Sequence, residues 1–178
     1  MIKNTILILS LLSSILFAKQ YDTRIMAIEA KLFPKIALLE QHIKKNPSKT
    51  LKITILANEI DFNAADTFKA KIISNYPNPI GNKQIVVNVL EFNPVTIKHP
   101  DVIIVLSHNS VKLEAIASWA NRNKIVSFVY DPAYLKHGFL SSIYIGKSTK
   151  PYLNKRTILD YNFIFDSYLL QLSKINGE

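Results

Sequence analysis

Residues 102–106 read Val-Ile-Ile-Val-Leu, a run with no position left for water. A strand with one wet face alternates apolar and polar residues, so this run belongs at the centre of a sheet covered on both faces. Such sheets are largely parallel, and helical crossovers supply the cover. The flanking sequence fits that demand. Leu51, Ile53 and Ile55 alternate with Lys52 and Thr54 in a strand reaching Ala57, Gln84–Phe92 is rich in Val and Ile, and Lys124–Tyr130 forms a fourth strand stopped by Asp131 and Pro132. Between the strands lie helical stripes. Ile25, Ile28, Leu32, Ile36, Leu39 and Ile43 mark one face over 22–44, with a kink or a division expected near Phe33 because Pro34 follows it. Residues 61–75 read as a second helix, and 110–122 as a third with Leu113, Ile116, Ala117 and Ala120 inward. After residue 130 the rhythm changes. Phe139–Ile145 and Lys150–Asn154 predict a hairpin around Gly146, and Pro151, which has no backbone donor, makes the second strand an edge. A terminal helix is expected over 161–175. The expected fold is therefore a single three-layer α/β domain with a mostly parallel central sheet, a C-terminal hairpin at the sheet edge and a terminal helix.

Lys3, an apolar run from Ile6 to Phe17 and a polar continuation after Ala18 have the layout of a signal peptide. The run spans only about 18 Å as helix, short of the ~30 Å hydrocarbon core, so no permanent membrane span is expected. The expectation is export to the periplasm, cleavage near Ala18 and one mature domain over 19–178. Location bears on charge. The chain of 178 residues carries 22 Lys and Arg against 13 Asp and Glu, a formal +9, and loss of residues 1–18 removes Lys3 alone to leave +8. Export argues against nucleic acid as a partner, and so does the composition of the excess. Arginine, the better bidentate phosphate reader, occurs only at Arg24, Arg122 and Arg156.

With no cysteine, thiol catalysis, disulfides and thiolate metal sites are excluded. Four scattered glycines cannot build a phosphate-cradling loop, and neither a Gly-x-Ser-x-Gly elbow nor a His-Glu-x-x-His helix is present. No cofactor, metal or catalytic residue is therefore assigned. In open α/β sheets ligands bind beyond the carboxyl ends of the strands, which singles out His108 and Asn109 after the third strand and Asp131, Tyr134 and His137 after the fourth. Helix capping and a proline turn explain the same residues without a ligand. A second candidate surface is the hairpin, where Tyr144 and Tyr152 interleave with Lys147 and Lys150 and the strand closes on Asn154. Tyrosines with a charged rim suit a protein partner, while lysines on an edge strand also serve to block aggregation.

The strand Val126–Asp131, Gly138 leading the strand Phe139–Ile145, the strand closing on Leu153-Asn154 and the pair Leu169-Leu170 resemble the YfiR-like family of periplasmic regulatory proteins. Phe33-Pro34 stands where that family commonly has Trp-Pro, and the only tryptophan is Trp119. The resemblance implies a non-enzymatic repressor that binds the periplasmic part of an inner-membrane signalling protein, typically a diguanylate cyclase. A homodimer is compatible with it. The competing reading is a small-molecule-binding periplasmic sensor or carrier.

Overall fold

The computed structural model describes residues 21–91, 99–106 and 112–177, so the expected signal segment and the loop holding His108 and Asn109 lie outside the described residues. Seven strands form one sheet: β1 (Thr50–Ala57), β2 (Gln84–Glu91), β3 (Val102–Leu106), β4 (Val126–Val129), β5 (Ser141–Ile145), β6 (Thr149–Asn154) and β7 (Lys174–Asn176), in the spatial order β2-β1-β3-β4-β5-β6-β7. The first five are parallel, β6 runs antiparallel to β5, and β7 is parallel to β6. The sheet is flanked by α1 (Thr23–Ala37), α2 (Gln41–Lys45), α3 (Phe62–Asn75), α4 (Leu113–Arg122), α5 (Lys155–Asp160) and α6 (Ser167–Leu172).

The apolar run at 102–106 is central, buried at every position with β1 on one side and β4 on the other. Period-two alternation divides the strands between two cores. Ile53, Ile55, Val102, Ile104, Val126 and Phe128 face α1 and α3, whereas Leu56, Ile103, Val105 and Val129 face α4 and its Leu113, Ile116 and Ala120. Phe33 on α1 stacks on Phe128 with ring centroids 4.3 Å apart, anchoring the first helix to the sheet. The three-layer α/β expectation is met. Among the described residues no helix is long and apolar enough to cross a membrane.

Three local expectations are corrected. Pro34 does not divide the first helix near Phe33: α1 runs through it to Ala37, and the break comes at 38–40, where Glu40 caps α2. Beginning at Thr23, α1 places Pro34 near its carboxyl end. The helix expected over 161–175 is shorter, with only Ser167–Leu172 helical, and residues 174–176 extend beside β6. In consequence β6 is not the edge. Its Tyr152, Leu153 and Asn154 pair with Lys174, Ile175 and Asn176, which makes β7 the outermost strand. Pro151 lies just before this pairing, opposite Ile143 of β5.

Candidate functional site

α1 begins at the carboxyl end of the sheet. Its start is fixed by Asp22, whose side chain accepts from the backbone N–H of Arg24 at 2.7 Å and of Ile25 at 3.4 Å. Hydrogen bonds from Arg24 hold the Asp22 carboxyl below its ordinary range. The backbone N–H of Asp22 donates to the Tyr130 hydroxyl at 2.8 Å, tying the helix to the residue that follows β4. Tyr21 meets the Tyr130 ring edge-on, with centroids 4.9 Å apart. Burial, and then the Asp61 carboxylate to which it hydrogen-bonds, hold the Tyr21 hydroxyl far above the usual phenol range. The ends of β1 and β4 are thus drawn together around the start of α1.

Beside this knot opens a cleft of about 580 Å³ bounded by α1, the end of β4 and strands β5, β6 and β7. Its volume lies within the range of small-molecule pockets, roughly 300–1,000 Å³. The inner wall is α1. Glu29 lines it while being only 1% exposed, and its Oε2 has no hydrogen-bond partner among the described residues. Burial, and then the neighbouring Asp131 carboxylate, hold the Glu29 carboxyl well above the usual carboxylate range. The outer wall is aromatic. Tyr144 of β5 and Tyr152 of β6 meet edge-on with centroids 6.1 Å apart, and the Lys174 ammonium sits 3.8 Å from the first ring centre and 5.1 Å from the second. The turn after β5 keeps that wall in place. A Cβ added at Gly146 would come within 2.8 Å of the Tyr144 ring, so glycine there lets the ring lie across the turn. Together the lining has three carboxyl groups, Asp22, Glu29 and Asp131, and one ammonium, Lys174.

The sequence candidates separate on this geometry. Asp131, Tyr144 and Tyr152 converge in the cleft although the sequence assigns them to two different sites. Asp131 also accepts from the backbone N–H of Ala133 at 2.9 Å, so its capping role and its place in the lining coexist. Tyr134 packs into the α4-side core, and His137 pairs with Glu114 of α4 at 3.3 Å in a separate polar groove. Lys147 and Lys150 are exposed at the hairpin tip and are absent from the cleft lining.

Asn154 belongs to no exposed partner surface. It is 7% exposed, its Nδ2 donates to the carbonyls of Leu135 and Phe139 at 2.9 and 3.1 Å, and its Oδ1 accepts from the Thr157 N–H to cap α5. Asp101, at the entrance to β3, accepts from the Lys52 N–H at 2.8 Å and so registers β1 against β3.

Among the polar residues of the cleft, Asp22, Glu29, Tyr130 and Lys174 escape the sequence reading. Glu29 lies four residues after Ile25 and four before Phe33, so an acid on the inward stripe of α1 was the available signal. Lys174 is hidden by the expected helix, which gives no reason to bring residue 174 beside Tyr144.

No family model and no curated protein sequence matches the chain. Solved structures do share its fold. A conserved domain protein of Vibrio cholerae O1 biovar El Tor superposes with a TM-score of 0.56 at 14% identity, and 85% of this chain covers 60% of that one. An ABC domain from Streptococcus pneumonia, solved in complex with L-Trp, superposes with a TM-score of 0.50 at 13% identity over the same shares. The chain therefore spans well under two thirds of the length of either structure, and the likeness is one of fold.

Proposed function

We propose that this chain is a small-molecule-binding domain whose ligand occupies the cleft between α1 and the hairpin. The observation that carries the reading is the buried Glu29 carboxyl lining that cleft at the carboxyl end of the sheet, where α/β domains place ligands. The L-Trp complex of the streptococcal domain supports it, since a protein of similar fold is solved with a small molecule bound. Thermal denaturation of the full chain against a metabolite panel tests the reading. A ligand at a hundred times its Kd stabilises by about 2.7 kcal/mol, a rise of roughly 5–10 °C for a domain of this size. The rise should vanish in Ile145→Trp, which adds bulk at a half-exposed position of the cleft lining rather than in the packed core. A panel without effect, or one equally effective on a folded Ile145→Trp, overturns the assignment.

The exported regulator implied by the family resemblance is the second reading. It is favoured by the exposed Lys147 and Lys150, which place a basic rim on the hairpin that walls the cleft. Capture of the periplasmic part of an inner-membrane signalling protein, lost on Lys150→Glu in a chain that stays folded, would support it. Undiminished capture by that variant would remove the hairpin from the interface.

A further inference from the structure

We infer that the cleft takes an organic cation, an ammonium group carried on a small apolar body, and that Glu29 receives the charge. This rests on the reading of the cleft as a ligand site and adds the chemistry of what enters it.

The first observation is the orphaned acceptor. Glu29 Oε2 is withdrawn from water with no donor among the described residues, a condition that costs free energy for a neutral group and more for a charge. A ligand that brings an N–H to this oxygen removes that penalty on binding. A ligand that brings only acceptors can be met by the protonated carboxyl alone and leaves the ionised form unpaired.

Charge points the same way. Asp22 and Asp131 share the cleft with Glu29, so three carboxyl groups stand against the Lys174 ammonium and the Arg24 guanidinium that pairs with Asp22, in a chain whose net charge is +9. That ammonium, Lys174, lies over the Tyr144 and Tyr152 rings, which are thereby shown to accept a cation against their faces. An anion entering here would meet more carboxyl groups than amines. Apart from Tyr130, whose hydroxyl accepts from the Asp22 N–H, the rest of the lining, Ile25, Pro132, Ile143 and Ile145, is apolar and suits an alkyl or aryl body.

The proton follows from the site. The empty cleft favours the protonated form of Glu29, because burial and Asp131 both oppose its charge. An ammonium ion reverses that preference, so the cation binds as the Glu29 proton leaves to solvent, and binding weakens as pH falls. The other titratable groups lining the cleft are Asp22, Asp131, Tyr130, Tyr144, Tyr152 and Lys174. Burial favours the protonated form of Glu29, while Arg24 holds Asp22 ionised.

Titration calorimetry on the full chain tests this with phenethylamine and hexylamine, each beside the alcohol and the carboxylate of the same skeleton. Measurement in buffers of different ionisation enthalpy counts the protons released. The amines should bind at least tenfold more tightly than their partners and release up to one proton. Glu29→Gln should lose both the preference and the proton release while remaining folded by circular dichroism. Carboxylates or alcohols that bind as well as amines, or amine binding and proton release unchanged in Glu29→Gln, overturn the cation assignment and leave the ligand site standing. No binding by any probe overturns the cation assignment too, and if the metabolite panel is also silent the ligand site falls with it.

Discussion

Burial of Glu29 on the inward stripe of α1 ties the stability of the fold to pH, and the direction follows from which form of the carboxyl the fold prefers. The folded chain holds this group above its ordinary range, so between the unfolded value, about 4.3, and the raised one the folded state keeps a proton that the unfolded state has lost. The contribution of Glu29 is therefore full at low pH and is lost as pH rises through that window. Glu29→Gln removes the loss. It should raise the melting temperature at pH 8 and make little difference at pH 4. Scans of both proteins across pH check the crossing. Phe33, stacked on Phe128 and fully buried, makes a simpler case: Phe33→Ala should lower the unfolding free energy by about 3–5 kcal/mol in denaturant titration. Asn154→Ala removes a helix cap and two hydrogen bonds to backbone carbonyls, of which Leu135 keeps the Gly138 N–H as a partner, and a loss of about 2–4 kcal/mol is expected by the same measurement.

At the scale of elements, the junction between α1 and α2 is held by a residue that reaches across the molecule. Glu40 is fully buried; its Oε2 accepts from the His42 and Ile43 N–H groups at 2.7 and 3.2 Å, and its Oε1 from the Ile164 N–H at 3.4 Å. The backbone adds Gln41 N–H to Ile164 carbonyl at 2.9 Å and Asp166 N–H to Leu39 carbonyl at 3.2 Å. Glu40→Ala should destabilise by about 2–4 kcal/mol and speed hydrogen exchange at the Ile43 and Ile164 amides more than at Val105 in the central strand.

The same junction marks where sequence reading runs out. β1, β3 and β4 were legible because burial on a central strand writes itself into consecutive residues, as in 102–106 or in the alternation of Leu51, Ile53 and Ile55. The break after α1 was misplaced at Pro34 because the group that sets it, Glu40, is paired 124 residues away, beyond any window of local pattern. In the C-terminal region Phe163 and Phe165 are buried around an Ile164 that is 47% exposed, a strand-like alternation, while Tyr161, Ile164, Phe165, Tyr168, Leu172 and Ile175 recur at helical spacing. That ambiguity hid β7, and with it Lys174. The candidate site divided in the same way: Asp131 and the two hairpin tyrosines could be named from turns and alternation, whereas Glu29 looked like one polar residue in an apolar stripe.

For the whole molecule, β7 closes one end of a seven-stranded sheet with three residues. A chain ending at Ser173 would bare the outer backbone of Tyr152, Leu153 and Asn154 and remove the ammonium from the tyrosine wall. An uncovered edge templates pairing with another chain. The truncated protein should therefore self-associate more strongly in sedimentation than the full chain at the same concentrations, together with a melting temperature lower by a few degrees. Sedimentation of both at several concentrations decides it.

The placement of Trp119 on α4 has an optical consequence. It is the only tryptophan, and it packs with the core on the α4 side of the sheet, whereas the cleft lining contains Tyr130, Tyr144 and Tyr152 and no tryptophan. Indole emission therefore follows the attachment of α4 to the sheet, and events in the cleft are written in the near-ultraviolet dichroism of tyrosine. The two layers of the domain can be watched separately in one unlabelled sample.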